Sequence, residues 1–131
     1  MAVIGERWRR LEVWQLADDL AAEIYQATQE LPREERFGLV AQLRRAALSV
    51  PTNIVEGYAR RGDRELTRFL SIALGSLAET KYLLHFSRRM GYLSEGKYNE
   101  LQAACQQVGQ RLWRFYEAVG KSEKAETGEK P

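Results

Sequence analysis

Residues 11–31 read LEVWQLADDLAAEIYQATQEL, and Pro32 follows. Val13, Ala17, Leu20, Ile24, Ala27 and Leu31 recur at spacings of 4, 3, 4, 3 and 4. That alternation puts the six on one stripe of an α-helix, the pattern of a helix packed at a shallow angle along its neighbours. Asp18, Asp19 and Glu23 fall off the stripe and read as a solvated acidic face. Pro32 has no N–H to donate and its ring clashes with the preceding turn, so the helix stops there.

The same period continues along the chain. A second segment begins near Arg33, with Glu34 and Glu35 in a first turn whose dipole favours acids. Val40, Leu43, Ala47, Val50 and Ile54 form its stripe, and Gly62 is a plausible C-terminal cap just after Arg61. Pro51 falls inside it, yet the stripe keeps its phase from Val40 to Ile54. One kinked helix is therefore expected, with the Ala47 carbonyl bonded elsewhere and Asn53 a candidate donor. Asp63 reads as the N-cap of a third helix carrying Leu66, Leu70, Ala73, Leu77 and Leu84, which ends at Gly91 after Arg88 and Arg89. Ser94 caps a fourth, with Tyr98, Leu101, Cys105, Val108, Leu112, Phe115 and Val119 in register and Gly120 as its stop. No run alternates β-branched residues in the manner of a strand. The expectation is an all-α, antiparallel up-down four-helix bundle over 11–119. An N-terminal extension over 1–10 precedes it, and a charged, disordered tail over 120–131 follows.

A chain of 131 residues with 44% hydrophobic content fits one domain that needs no metal or disulfide. The single Cys105 cannot form an internal bridge, and no apolar run approaches the ~20 residues of a membrane span. The N-terminus lacks a signal-peptide core. These features point to a cytoplasmic protein with no membrane partner.

Chemistry finds little footing. His85 is the only histidine, about 100° around its helix from the core stripe, with no Ser, Cys or second His at a partner spacing. Bundle metal sites use Glu-x-x-His pairs or His clusters, which are absent. LGSLA around Ser76 is not a nucleophile elbow, and no phosphate-cradling glycine motif occurs. The expectation is a non-enzyme with no catalytic residue, metal or cofactor.

Binding is better represented. The third helix carries a second apolar set, Ile72, Leu83 and Phe86 with Tyr82 beside them, and Gly75 among them lets another backbone approach. A helix apolar on two sides is buried on both or forms an interface. The alternative is a broad core face. Asn53, Glu56 and Gly57 sit on the flank of the second stripe, where they either serve the Pro51 region or bond to a neighbouring subunit.

The cations show a preference too, with 15 Arg and 5 Lys among the 20. Arg44, Arg45, Arg60, Arg61, Arg64, Arg68, Arg88, Arg89, Arg111 and Arg114 fall in pairs on the last three segments. Arg grips phosphate bidentately, so these ten are candidate nucleic-acid contacts; solvated helix faces and a GC-rich genome are the bland alternatives. The net charge is only +2.

FGLVAQLRRAALSVPTNIVEG at 37–57, FLSIALGSLAETKYLL at 69–84 and LEVWQLADDLAAEIYQAT at 11–28 together resemble a bacterial four-helix-bundle family. That family includes proteins encoded in intervening sequences of large-subunit ribosomal RNA genes. It also includes the accessory variability determinants of diversity-generating retroelements. Asn-Ile-x-Glu-Gly at 53–57 with Gly-Ser-x-x-Glu at 75–79 is fairly specific in combination, and it brings Glu79 to the candidate interface. The resemblance implies a ring-like homopentamer with no catalytic activity. For the retroelement branch it implies binding to nucleic acid, RNA or DNA, and to a reverse transcriptase. The signature here is closer to the intervening-sequence branch, and retroelement members tend to be more basic than +2. A protein-interaction scaffold with no nucleic-acid role is the alternative function.

Overall fold

The computed structural model describes residues 6–128. Four α-helices account for most of them: α1 (Glu12–Thr28), α2 (Leu39–Ala59), α3 (Asp63–Arg89) and α4 (Glu95–Thr127). Short 3-10 turns at Arg7–Arg10 and Arg33–Glu35 precede α1 and α2, and no strand occurs among the described residues. Helices adjacent in sequence pack together, α1 closes against α4, and the backbones of diagonal pairs stand farther apart. With short connections this is the up-down four-helix bundle expected from the stripes.

The four stripes meet in one core. Leu20, Ile24, Leu43, Val50, Ile54, Leu70, Leu84, Leu101, Cys105, Val108 and Leu112 are all fully buried. Each fully buried Leu or Ile contributes about 1.5–3 kcal/mol of transfer free energy, so the stripe is the main reason these segments settle as helices around one axis. The hydroxyls of the buried residues Thr28, Thr80 and Ser87 are satisfied within their own helices: Thr28 donates to the Ile24 carbonyl, Thr80 to Ser76 and Ser87 to Leu83, each at 2.8 Å.

The helix ends test the capping arguments. Ser94 Oγ accepts from the Lys97 N–H at 3.1 Å, as a cap should. At the end of α3, Gly91 takes φ +79 while Gly91 N–H bonds to Arg88 O and Tyr92 N–H to Ser87 O, both at 2.9 Å. That pair is a Schellman closure, which only glycine makes without strain. Elsewhere the structure corrects the reading. Asp63 is the first residue of α3 and Gly62 the cap; the Asp63 carboxylate accepts from Ser122 Oγ at 2.7 Å instead. The segment from Arg33 opens as a 3-10 turn, and Glu35 reaches forward to accept from the Leu39 N–H at 3.3 Å where α2 begins.

α2 runs unbroken through Pro51. Asn53 does not serve the Ala47 carbonyl: its Nδ2 donates to the Ser49 carbonyl and Ser49 Oγ, both at 2.8 Å. Gly120 does not end α4, which continues to Thr127 with Gly128 as its left-handed cap. The segment 121–127 is rich in Lys, Glu and Ala, which are strong helix formers, and the bond from Ser122 to Asp63 ties it to α3. The part of the expected disordered tail at 129–131 and the first five residues of the N-terminal extension lie outside the described residues. The rest of that extension is the Arg7–Arg10 turn, with Trp8 set edge-on to Trp14 at 4.8 Å.

Candidate nucleic-acid interface

The antiparallel topology gathers the start of α1, the α2–α3 turn and the far half of α4 at one end of the bundle. Two cross-links fix this: the Ser122–Asp63 bond and an ion pair from Arg111 to Glu12. Arg60, Arg61, Arg64, Arg68, Arg111 and Arg114 all lie there. So do Arg7, Arg9 and Arg10, which sequence reasoning left in the extension although the RWRR run at 7–10 carried the signal.

Some of these cations are already engaged. Arg60 pairs with Glu56 at 3.1 Å and Arg68 with Glu65 at 2.8 Å, and both guanidinium groups lie over the Phe69 ring, at 5.3 and 4.4 Å. The Arg68 hydrogen bond, with the field of neighbouring arginines, holds the Glu65 carboxyl below its ordinary pKa. Arg9 pairs with Glu6 at 2.8 Å over Trp8. Arg7, Arg10, Arg61, Arg64 and Arg114 are exposed and form no ion pair with any described carboxylate.

The other four expected arginines are placed elsewhere. Arg44 bridges α2 to the end of α1: Nε donates to Thr28 Oγ1 at 2.8 Å, Nη2 to the Tyr25 carbonyl at 3.0 Å, and the guanidinium lies 4.7 Å from the Tyr25 ring. Two of its five N–H donors are spent on the fold. Arg45 pairs with Glu79 across α2 and α3. Arg88 pairs with Glu95 at 2.8 Å and stacks on Tyr98 at the opposite end, beside exposed Arg89. The ten therefore do not form one surface.

The expected interface residues also divide. Ile72 (42% exposed), Gly75, Glu79, Tyr82 (60% exposed) and Phe86 form a strip along the outer side of α3. A parallel strip on α2 is joined to it by Arg45–Glu79 and by Ser49 Oγ to Ser76 Oγ at 2.9 Å. A Cβ added at Gly75 would meet no atom within 4 Å, so the strip is open there. Asn53 is half-buried against its own helix and Glu56 is exposed but paired with Arg60. Two residues turn inward. Leu83 is 7% exposed and belongs to the core. Gly57 is buried where α2 crosses α3: an added Cβ would lie 2.7 Å from Phe69 Cβ. His85 is exposed, with its ring 6.3 Å from that of Tyr82.

Residues 9–114 match the family described as 23S rRNA-intervening sequence protein. The chain belongs to that family. The match runs from the arginine turn to the middle of α4 and bears out the intervening-sequence part of the resemblance carried by residues 11–28, 37–57 and 69–84. A crystal structure from Bacteroides thetaiotaomicron, described as a protein with unknown function from the S23 ribosomal protein family, superposes with a TM-score of 0.72. It is 21% identical, and the alignment covers 79% of this chain and 97% of that one, so it supports the fold. A comparison with curated proteins finds no match. Among the described residues, no helix of this family member is long and apolar enough to cross a membrane.

Proposed function

We propose that this protein is a non-catalytic, oligomeric RNA-associated protein whose arginine-bearing end holds the phosphate backbone. The observation that supports this most directly is the set of exposed arginines at one end that pair with no described carboxylate: Arg61 and Arg64 at the α2–α3 turn, Arg7 and Arg10 beside α1, and Arg114 on α4. A guanidinium already paired with Glu loses that pair when it binds phosphate; a free one exchanges only water and counterions. The family description names a 23S rRNA intervening sequence, which favours RNA as the nucleic acid. The modest charge of +2 disfavours the reverse-transcriptase partnership of the more basic retroelement branch.

Oligomer formation through the outer strip of α2 and α3, in a ring of five as the family resemblance implies, would repeat the basic end around an axis. Such repetition multiplies a field that is weak for one copy. Light scattering on a sizing column reads the mass, and Tyr82→Asp together with Gly75→Arg should reduce it to that of the monomer.

The decisive measurement is fluorescence anisotropy of a labelled RNA hairpin at about 50 and 200 mM salt. Wild-type protein should bind at the lower salt and weaken steeply at the higher, because each phosphate contact releases counterions. Arg61→Glu with Arg64→Glu should weaken binding tenfold or more and flatten the salt dependence. Binding unchanged by that double substitution, or no binding by wild type at low salt, would refute the reading.

A further inference from the structure

The junction of α1 and α2 gathers three arginines around one groove. Arg33 and Arg36 come from the turn between the two helices, and Arg44 from the second turn of α2. The 3-10 turn at Arg33–Glu35 is closed by the Arg36 N–H on the Arg33 carbonyl at 3.1 Å. Residues three apart eclipse in that geometry, so Arg33 and Arg36 leave the turn on one side. The groove has a volume of about 270 Å³, and buried Thr28, Leu31 and Val40 form its floor.

Arg44 is fixed there by the fold. Its Nε and Nη2 bonds to Thr28 and Tyr25 tie the guanidinium to α1 and leave three N–H donors. Arg33 and Arg36 are exposed, and the Arg36 guanidinium stands 5.2 Å from the Phe37 ring. None of the three pairs with a described carboxylate, and no acidic residue lines the groove. The acids close by in sequence are directed elsewhere or lie in solvent. Glu35 accepts from the Leu39 N–H and the Tyr92 hydroxyl, Glu30 lines the groove between α1 and α4, and Glu34 is exposed. The carbonyl end of α1 offsets part of the Arg44 charge, but no described carboxylate offsets the other two.

Like charges gathered in one groove repel, and an anion seated among them turns that repulsion into attraction. Guanidinium groups pair their N–H donors with phosphate oxygens, and a phosphate dianion answers several cations where a carboxylate answers one. The volume is just under the roughly 300 Å³ at which small-molecule sites begin, so the groove suits a phosphate group and not a whole nucleotide. We infer that this groove binds a phosphate group, held by Arg33 and Arg36 against the fixed guanidinium of Arg44. It is separate from the basic end of the bundle: Arg44 and Arg60 are 16 residues apart, about 24 Å along α2, too far for one phosphate to touch both. The inference therefore goes beyond the RNA reading and does not depend on it. The same chemistry serves a small phosphorylated molecule and the terminal phosphate of an RNA, and the test separates the two.

Thermal unfolding is compared in about 20 mM sodium phosphate and in sodium chloride or sodium acetate of equal ionic strength. A ligand at about ten times its Kd raises the Tm of a domain this size by roughly 5 °C. Phosphate also stabilises proteins by exclusion from their surfaces, an effect that exchanging two exposed side chains leaves in place. Arg33→Gln with Arg36→Gln should fold as wild type does and keep only that general rise. Arg61→Glu with Arg64→Glu should keep the full rise. An undiminished rise in Arg33→Gln with Arg36→Gln, or a wild-type rise no larger in phosphate than in acetate, would overturn the site and leave the RNA reading as it stands. Fluorescence anisotropy with one single-stranded RNA, carrying either a 5′-phosphate or a 5′-hydroxyl, then finds the source. Tighter binding of the phosphorylated strand, with the gain lost in Arg33→Gln with Arg36→Gln, assigns the site to an RNA end. Equal binding of the two strands alongside the phosphate-specific rise in Tm assigns it to a small phosphorylated molecule.

Discussion

Gly57→Ala tests the closest helix crossing in the bundle. The added Cβ would lie 2.7 Å from Phe69 Cβ, 3.2 Å from Leu66 Cδ1 and 3.5 Å from the Leu66 carbonyl oxygen. Carbon atoms rest at about 3.5–4.0 Å, so α2 and α3 must separate by most of an ångström or Phe69 must shift at its root. Overpacking of this kind costs about 1–3 kcal/mol. The upper half of that range applies, because a Cβ cannot swing aside as the end of a long side chain can. Against it stands a gain of about 1 kcal/mol for replacing glycine by alanine inside a helix. The expected net loss is about 1–2 kcal/mol. Gly120→Ala is the matched control: the same exchange within α4, where an added Cβ meets nothing within 4 Å, should stabilise by about 0.5–1 kcal/mol. For a domain of this size 1 kcal/mol moves Tm by roughly 4 °C, so the two variants should straddle wild type and differ by about 6–12 °C. Thermal unfolding followed by circular dichroism reads this directly. Gly57→Ala melting at or above the wild-type temperature would refute the tight α2–α3 crossing.

Arg44→Met keeps the apolar stem but removes two hydrogen bonds to α1, one of them to buried Thr28, and should cost about 1–2 kcal/mol in urea unfolding; Arg44→Lys should recover little, because one ammonium cannot reproduce the planar fork. The Cys105 thiol is pushed by burial from 9.0 up to about 12, so in the native protein it should resist a thiol reagent at pH 8 and react only on unfolding. The same shift sets a pH dependence. Below about pH 9 both states hold the proton and stability is unaffected; between about 9 and 12 the unfolded chain alone releases it, and stability should fall by about 1.4 kcal/mol per pH unit. Cys105→Ala should lack that component, which comparative urea melts at pH 8 and 10.5 would show.

Why the bundle was legible while its surfaces were only half so follows from what each depends on. Val13, Leu43, Leu70 and Leu112 are buried because their helical phase puts them there, and phase is a local property of the chain. Gly57 and Leu83 belong to the same logic one step further out: each lies on the flank of a stripe, where crossing geometry, not phase, decides between core and surface. The arginines depend on still more distant facts. Arg44 and Arg61 look alike in sequence, but Thr28 and the Tyr25 carbonyl happen to face Arg44 from α1, whereas no described carboxylate reaches Arg61. Gly120 misled for a related reason. Glycine within a helix costs only about 1 kcal/mol, a weak stop signal, and the Ser122 bond to Asp63 on α3 joins residues 59 apart in sequence. The surface that binds is thus the part whose character is set by long-range packing, and the Arg61 and Arg64 substitutions probe that part without touching the core.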